Sequence, residues 1–126
     1  LILKQAFEQS LPLAWASAEG LEAVFHNLIS NAIQALMAHS QRGEIYISTN
    51  YTQADRIEIV IADDGPGIPT TLQDRIFRPG VSAKDGKLGF GLWLVDTFIR
   101  RFEGYIQFTS SEEAGTTFRV LLKPAE

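Results

Sequence analysis

The sequence predicts an α+β fold, a two-layer α/β sandwich in which a mixed β-sheet is covered on one face by helices. Stretches with helical periodicity and stretches with strand-like alternation are interspersed, without the strict alternation of a doubly wound parallel sheet. A length of 126 residues suits one domain. Hydrophobic residues make up 45% of the chain, which is enough to form a core and excludes a disordered tail.

The first third of the chain predicts a strand followed by a long helix. Leu11, Leu13 and Trp15 alternate with other residues as in a strand. Ser17 is the predicted N-cap of the helix, because its hydroxyl can accept from a free N–H group of the first turn. Apolar residues then recur at spacings of three and four over about 18–38, which predicts an amphipathic helix.

The remaining elements follow from alternation, turn residues and a second apolar stripe. We expect strands at 44–52 and 56–63, a short helix at 71–77, a loop at 78–88, a helix at 89–102, and final strands at 105–110 and 116–122. Gly104 follows the second helix and is predicted to end it in the left-handed conformation. Residues 1–126 are thus expected to form one domain.

The composition excludes several classes of protein. The 11 basic and 15 acidic residues give a net charge of −4, which lacks the positive footprint of a duplex-DNA-binding protein, and we expect no nucleic-acid partner. There is no cysteine, so disulfide frameworks, iron–sulfur clusters and cysteine-ligated zinc sites are excluded. No apolar stretch reaches the roughly 18 residues of a membrane span, and we expect no membrane contact by this domain.

The context of the chain can be predicted only in part. It begins with Leu rather than Met, and we expect it to be a fragment of a longer protein. The lack of cysteine is compatible with the cytoplasm, which is the predicted location. Whether the parent protein carries a membrane anchor outside this chain is left open by the sequence.

Two asparagines in the long helix need an explanation. Asn27 and Asn31 are four residues apart, so their side chains lie on one edge of the helix, beside the apolar stripe, and Gln34 lies on the same polar edge. Asparagine is a mediocre helix former. From these residues alone two interpretations stay open: a solvated polar face, or a pair of amide oxygens that bind a hard cation and its phosphates.

The segment 63–69 follows a predicted strand and begins with Asp63 and Asp64. Aspartate, glycine and proline are common turn residues, so an ordinary turn is one interpretation. In the other, a carboxylate at the strand end accepts from an exocyclic amine, and the glycines let the backbone approach a flat ring.

Two glycine-containing segments come later in the chain. The segment 77–84 has the composition of a surface loop. In the segment 86–92 glycines lead directly into the second predicted helix, whose N-terminus could bind an anion, although such a pattern alone is weak evidence.

The order of these segments resembles that of the ATP-binding catalytic domain of sensor histidine kinases, within the GHKL superfamily of ATPases and kinases. Residues 27–32 resemble its N box, 63–68 its G1 box, 77–84 its F box and 87–92 its G2 box. Residues 115–118 resemble the Gly-Thr-x-Phe segment that closes the domain. The resemblance covers essentially the whole chain and implies the Bergerat fold.

The resemblance implies a site for ATP and Mg²⁺. It implies that Asn31 ligates the Mg²⁺ that bridges the phosphates, with Asn27 as its neighbour in the metal site. It also implies that Asp63 receives the amino group of adenine, and that Gly65 and Gly67 shape the pocket for the ring.

The resemblance implies further contacts from the lid and the second helix. Lys84 corresponds to a lid cation that meets the phosphates, and Gly89 and Gly91 would present backbone N–H groups to them. The other nucleotide-binding residues that it implies are Ile68, Lys87, Phe90, Leu92 and Thr116.

Position 27 separates subfamilies of the superfamily. Gyrase-type, mismatch-repair-type and chaperone-type ATPases carry a glutamate there that activates water, whereas an asparagine cannot act as a general base at neutral pH. Asn27 therefore favours a histidine kinase in two-component signal transduction. We expect no catalytic residue within this chain. The expected partners are a dimerisation and phosphoacceptor domain of the same protein and a downstream response regulator.

Several residues depart from the family pattern. Gly80 and Val81 replace aromatic residues of the F box, and Lys87 replaces the usual first glycine of the G2 box. These departures support the alternative of a degenerate nucleotide-binding module that regulates a partner without phosphotransfer. Neither histidine lies in an acceptor motif: His26 is expected to pack in or beside the core, and His39 to lie at an exposed helix end.

Overall fold

A computed structural model describes residues 2–39, 43–80 and 91–125 of the chain. Its elements are β1 (Ile2–Phe7), α1 (Ala18–His39), β2 (Glu44–Tyr51), β3 (Ile57–Asp63), a 3₁₀ turn (Gln73–Arg75), α2 (Gly91–Arg101), β4 (Tyr105–Ser111) and β5 (Gly115–Leu122). Within these ranges, neither α-helix has the length and apolar character that crossing a membrane requires.

The five strands form one mixed sheet in the order β1-β2-β3-β5-β4. β1 pairs with β2 in parallel, and the other neighbours are antiparallel. Both α-helices pack on one face of this sheet. The predicted fold class is therefore confirmed.

The apolar residues of the two central strands alternate so that one face is buried. The residues on this face are Ile57, Ile59 and Ile61 of β3 and Phe118, Val120 and Leu122 of β5. Helix α1 adds Val24 and Leu28 to the same core cluster, and α2 adds Val95 and Ile99. Burial of each such side chain contributes about 1.5–3 kcal/mol relative to exposure. This layer fixes both helices over the central strands.

The strand predicted around residues 11–15 is wrong. The N-terminal strand is β1, whose six residues are all exposed at the sheet edge, so burial imposes no alternation on its sequence. Within 11–15 the structure has only an isolated bridge between Ala14 and Pro124. Two backbone bonds flank it: Trp15 donates to the Lys123 carbonyl (2.7 Å), and Ala125 donates to the Leu13 carbonyl (2.7 Å).

The two ends of the helices show one confirmed and one wrong prediction. Ser17 caps α1, since its Oγ accepts from the Gly20 N–H (3.1 Å). At the end of α2, Glu103 rather than Gly104 adopts the left-handed conformation (φ 63°). Gly104 then donates to the Ile99 carbonyl (3.0 Å). A side chain at Gly104 would approach the Leu121 carbonyl oxygen to 2.5 Å, so glycine is required there for close packing.

Other boundaries and burial states differ in detail. The short helix expected at 71–77 is only the 3₁₀ turn Gln73–Arg75. His26 is exposed on α1, so its predicted place in or beside the core is wrong. The predicted start of the second helix at 89 and most of the predicted loop 78–88 lie outside the described residues.

Candidate nucleotide-binding site

A row of residues at one end of the sheet continues the buried face. Asp63 pairs with Ile45 on β2 and with Thr116 on β5, and Thr116 pairs with Ser110 on β4. Because side chains alternate along strands, these residues face the helices, one step beyond the buried pair Ile61 and Phe118. The apolar core therefore ends in polar groups at this end of the sheet.

Asp63 is a half-buried acceptor in this row. Its Oδ1 accepts from the Gly65 N–H (2.9 Å), and its carboxyl group also accepts from the Thr116 N–H. Burial raises the pKa of Asp63, although the two backbone bonds act in the opposite direction. The neighbouring Asp64 charge also raises it. A carboxylate offers about four acceptor positions, so capacity is left for a donor of a ligand.

Two glycines let the backbone pack closely around Asp63. Gly67 has φ 81°, and a side chain there would approach the Ser111 carbonyl oxygen to 2.5 Å. Gly115 also has φ 81°, and a side chain there would lie 2.0 Å from the Asp63 carbonyl oxygen. Both positions thus combine a left-handed backbone with no room for a side chain. Gly65 faces α1, with Ala35 Cβ 3.5 Å from where its own Cβ would lie.

Side chains from two other elements hold the segment that follows Gly67. The Ile68 N–H donates to Ser110 Oγ (2.7 Å), and Ser110 Oγ lies 2.9 Å from Thr116 Oγ1. The Ile68 carbonyl accepts from Gln73 Nε2 (2.9 Å). Thr116 itself is 5% exposed. The predicted site residues Asp63, Gly65, Gly67, Ile68 and Thr116 are thus brought together at one end of the sheet.

A second group of predicted residues lies where α1 meets the start of α2. Asn27 Nδ2 donates to the Ala23 carbonyl (2.8 Å), and Asn27 Oδ1 lies 2.6 Å from where a Cβ on Gly91 would be. A side chain at position 91 would therefore displace the end of the Asn27 side chain. Leu92 packs partly buried against the core cluster. The structure brings Asn27 to Gly91, the first described residue of α2.

Asn31 lies between these two groups, one helical turn after Asn27 on α1, and it is half-buried. Gln34, on the same polar edge, donates to Ser30 Oγ (3.4 Å). From Asn27 to Ala35, which faces Gly65, the helix rises by about 12 Å. The two groups therefore form the ends of one elongated site along α1.

Four predicted residues, Lys84, Lys87, Gly89 and Phe90, lie outside the described residues, as does Val81. Sequence reasoning missed three others: Ser110, Gln73 and the requirement for glycine at 115. The alternation of Ile106, Phe108 and Ser110 along β4 was a signal that Ser110 faces the helices. No sequence pattern indicated Gln73.

Two open concavities in the described part of the chain lie away from this arrangement. One, of about 450 Å³, runs along the edge strand β4 beside Phe77 and Phe108. The other, of about 530 Å³, lies beside Trp15 and Phe102. Neither contains a predicted site residue. The candidate site is therefore defined by the chemistry of its groups and not by a concave surface.

The α/β sandwich thus carries a half-buried carboxylate at the sheet end, and the first described turn of α2 lies further along α1. The family of histidine kinase-, DNA gyrase B- and HSP90-like ATPases matches residues 16–126. The chain belongs to this family, as an ATP-binding catalytic domain of the sensor-histidine-kinase type.

Named relatives agree with this membership. A sensory histidine kinase/phosphatase NtrB of Vibrio alginolyticus is 32% identical over 131 residues, covering 97% of this chain and 37% of the relative. The NtrB of Salmonella typhimurium is 37% identical over 115 residues, covering 82% of this chain and 32% of the relative. The chain thus spans about a third of the length of these curated relatives.

Solved structures share the fold. The catalytic domain of the histidine kinase ThkA superposes with a TM-score of 0.77 at 26% identity, covering 97% of this chain and 79% of that one. The Acinetobacter baumannii histidine kinase AdeS gives a TM-score of 0.75 at 26% identity, covering 99% of this chain and 55% of that one.

Proposed function

We propose that this chain binds Mg·ATP and presents its γ-phosphoryl group to a histidine on a separate dimerising helical domain. In that step the bond to the terminal phosphorus passes from the β,γ-bridging oxygen to an imidazole nitrogen, and ADP leaves. The observation that carries the proposal is the elongated arrangement along α1, with the half-buried Asp63 carboxylate at one end and Asn27 beside Gly91 of α2 at the other.

The sheet end suits an adenine ring. The Asp63 carboxylate keeps acceptor capacity for the exocyclic amine, because only part of it is taken up by the backbone groups of Gly65 and Thr116. Gly67 has a positive φ and no side chain, so the segment that follows Asp63 packs closely on the backbone of Ser111 at this end of the sheet. An amine donated to a partly desolvated carboxylate is a charge-assisted hydrogen bond, which is among the stronger kinds.

The helix end suits the phosphates and Mg²⁺. The backbone N–H groups at the start of α2 favour an anion. Mg²⁺ takes oxygen ligands and is commonly held by one or two protein groups together with substrate phosphates and water. The amide oxygens of Asn27 and Asn31 are neutral oxygen donors on the edge of α1 that approaches this end, so these residues fit such an ion. When bound, the ion would neutralise charge on the phosphates.

The chemistry at position 27 favours a kinase over a hydrolase. The Asn27 amide cannot remove a proton from water at neutral pH, so the site binds and positions ATP without supplying a general base. Positioning and charge neutralisation are the main sources of catalysis in phosphoryl transfer. The sensory histidine kinases named among the relatives support the same choice.

The remaining parts of the proposal extend beyond the described residues. Lys84, Lys87, Gly89 and Phe90 stay predicted contacts of the lid and the second helix. The acceptor domain, the response regulator and a cytoplasmic location are likewise proposals, since the chain covers about a third of its relatives.

Two measurements test the proposal. Calorimetric titration of the chain with ATP, with and without Mg²⁺, should show binding that Mg²⁺ strengthens. Incubation with γ-labelled ATP should label the full-length parent protein on histidine but leave the 126-residue chain essentially unlabelled. Binding without any labelling of the parent would instead identify a degenerate regulatory module. A chain labelled on His26 or His39 would contradict the separate acceptor domain.

A further inference from the structure

Gly20, in the first turn of α1, receives the aromatic ring of Phe98 from α2. A Cβ at position 20 would overlap the Cε2 and Cζ atoms of that ring. Glycine is a poorer helix former than alanine, so packing and not helix propensity explains a glycine here. The ring is also held on other sides, since it packs against the core cluster and its centroid lies 5.0 Å from that of Phe102. A side chain at position 20 would therefore push α2 away from its place on α1.

A second contact between the same helices has the roles reversed. Asn27 Oδ1 of α1 lies 2.6 Å from where a Cβ on Gly91 of α2 would be. Gly20 and Asn27 are seven residues apart, as are Gly91 and Phe98, which is two helical turns or about 10 Å on each helix. Both contacts thus lie on one face of each helix, and their order shows that the helices run in opposite directions.

The two contacts together fix the position of α2 along α1. Between them each helix has one fully buried valine, Val24 on α1 (2% exposed) and Val95 on α2 (1% exposed). Such close-packed interiors transmit a displacement rather than absorb it. Because α2 is one helix of 11 residues, a displacement of Phe98 also moves Gly91, and with it the space that the end of the Asn27 side chain occupies.

We propose that Gly20 and Phe98 are positioning residues for the metal ion, acting through α2 on the Asn27 amide two turns away. The ring of Phe98 lies in the space that Gly20 leaves and keeps Gly91 beside Asn27, so the amide oxygen stays in place for the proposed Mg²⁺ site. Mg²⁺ requires near-ideal octahedral geometry, so a small displacement of a ligand weakens its binding. This inference rests on the proposed binding of Mg·ATP.

A cycle of single and double variants isolates the effect. Gly20→Ala fills the space, Phe98→Leu shortens the side chain that occupies it, and the double variant does both. Glu22→Ala is the matched control, since Glu22 is exposed on the same helix. The first measurement, on the 126-residue chain, is the Mg²⁺ factor, defined as the Kd of ATP without Mg²⁺ divided by the Kd with Mg²⁺. The second is the NMR position of the Asn27 side-chain amide signals without nucleotide, and urea unfolding reports the stability of each variant.

We expect Gly20→Ala to lower the Mg²⁺ factor about tenfold, the low end of what the loss of a supporting contact costs a metal site. It should also shift the Asn27 amide signals. Phe98→Leu should change both quantities in the same direction by less. The double variant should restore most of both, because the alanine Cβ takes the space that the ring gives up. Glu22→Ala should leave the Mg²⁺ factor unchanged.

A merely structural role would lower the free energy of unfolding of the single variants and leave the Mg²⁺ factor and the Asn27 signals unchanged, which would overturn the proposal. A double variant no better than Gly20→Ala would also overturn it, since the two residues would then act separately. If Gly20→Ala did not fold, unshifted Asn27 signals in Phe98→Leu would decide against the proposal. A wild-type chain that binds no ATP, or binds it without any effect of Mg²⁺, would instead contradict the proposed function, while the Asn27 signals would still test the positioning of this amide.

Discussion

The Asp63→Asn variant tests the base end of the site, because it keeps the size of the side chain and removes one acceptor oxygen. The carboxyl group of Asp63 accepts from the backbone N–H groups of Gly65 and Thr116. In the variant, the single amide oxygen is the only atom that can satisfy these two donors. The NH₂ group is then left on the side where the adenine amine would arrive, so a donor meets a donor.

The expected loss follows from the hydrogen bond that is removed. Hydrogen bonds to charged groups contribute about 1.5–3 kcal/mol, which corresponds to a Kd that is about 10- to 150-fold weaker. Because Asp63 is only half-buried, solvent screens part of this interaction, and we expect a value in the lower half of the range.

The measurement is a calorimetric titration with ATP and Mg²⁺ at pH 7.5, with circular dichroism to verify folding. Asp64→Asn is the matched control. Asp64 is exposed, and its Oδ1 accepts from the Glu44 N–H (2.8 Å) and not from the row beside Asp63. The control removes the same charge one residue away and should change the affinity by less than about twofold. Equal losses in both variants, or unchanged affinity of Asp63→Asn, would show that the base does not bind at Asp63.

Three further predictions address metal binding, pH dependence and backbone packing. Asn31→Ala should keep the fold, because alanine is the better helix former. It should lose most of the affinity for ATP that depends on Mg²⁺. Titrations with ATP, with and without Mg²⁺, test this, and an undiminished effect of Mg²⁺ would contradict it. Because burial raises the pKa of Asp63, the folded chain binds this proton more tightly than the unfolded chain. The free energy of unfolding of the wild type, relative to that of Asp63→Asn, should therefore fall as pH rises from the unfolded pKa of 3.8 through the raised folded pKa. Urea unfolding between pH 4 and pH 8 is the measurement. The opposite trend would show that the pKa of Asp63 is not raised in the folded chain. Gly115→Ala should lower the free energy of unfolding by about 1–3 kcal/mol from backbone strain alone. Ala114→Gly, in the same turn, is the control. If urea unfolding shows no larger loss of stability in Gly115→Ala than in the control, the close packing of Gly115 on Asp63 is contradicted.

The central part of the fold could be predicted because burial leaves a pattern in the sequence. The isoleucines of β3 alternate since every second residue faces the helices, and Asp63 continues that alternation into the site. The edge strand β1 has no such constraint, because all six of its residues are exposed. Its position depends on pairing with β2, which is distant along the chain and leaves no local signal.

The glycines show how far local rules reach. A left-handed residue was expected after α2, and one exists, but at Glu103. Glu103 forms an ion pair with Lys123 (3.0 Å), and its carbonyl accepts from Arg56 Nη1 (3.1 Å). Gly104 is needed instead for contact with β5. Propensity predicted the kind of helix end correctly, while tertiary contacts decided which residue adopts it.

The side chains around Ile68 could be predicted least. Ser110 and Gln73 come from elements 42 and 5 residues away, and each acts on a backbone group of Ile68 that has no signal of its own. A serine in a strand and a glutamine in a 3₁₀ turn are ordinary residues. Only the folded geometry gives them a role in the site.

The local structure around Asn27 is built for an amide. Its Nδ2 donates to the Ala23 carbonyl (2.8 Å), which directs Oδ1 toward Gly91. A carboxylate in the same position would turn an oxygen toward that carbonyl, so two acceptors would face each other, while its other oxygen would lie at the helix end proposed for phosphate. Both effects show that the position of the Asn27 side chain suits an amide. Under the proposed function this site binds and orients the nucleotide, and the group that attacks the terminal phosphorus lies on a separate domain. This is the physical reason why we propose phosphotransfer and not hydrolysis.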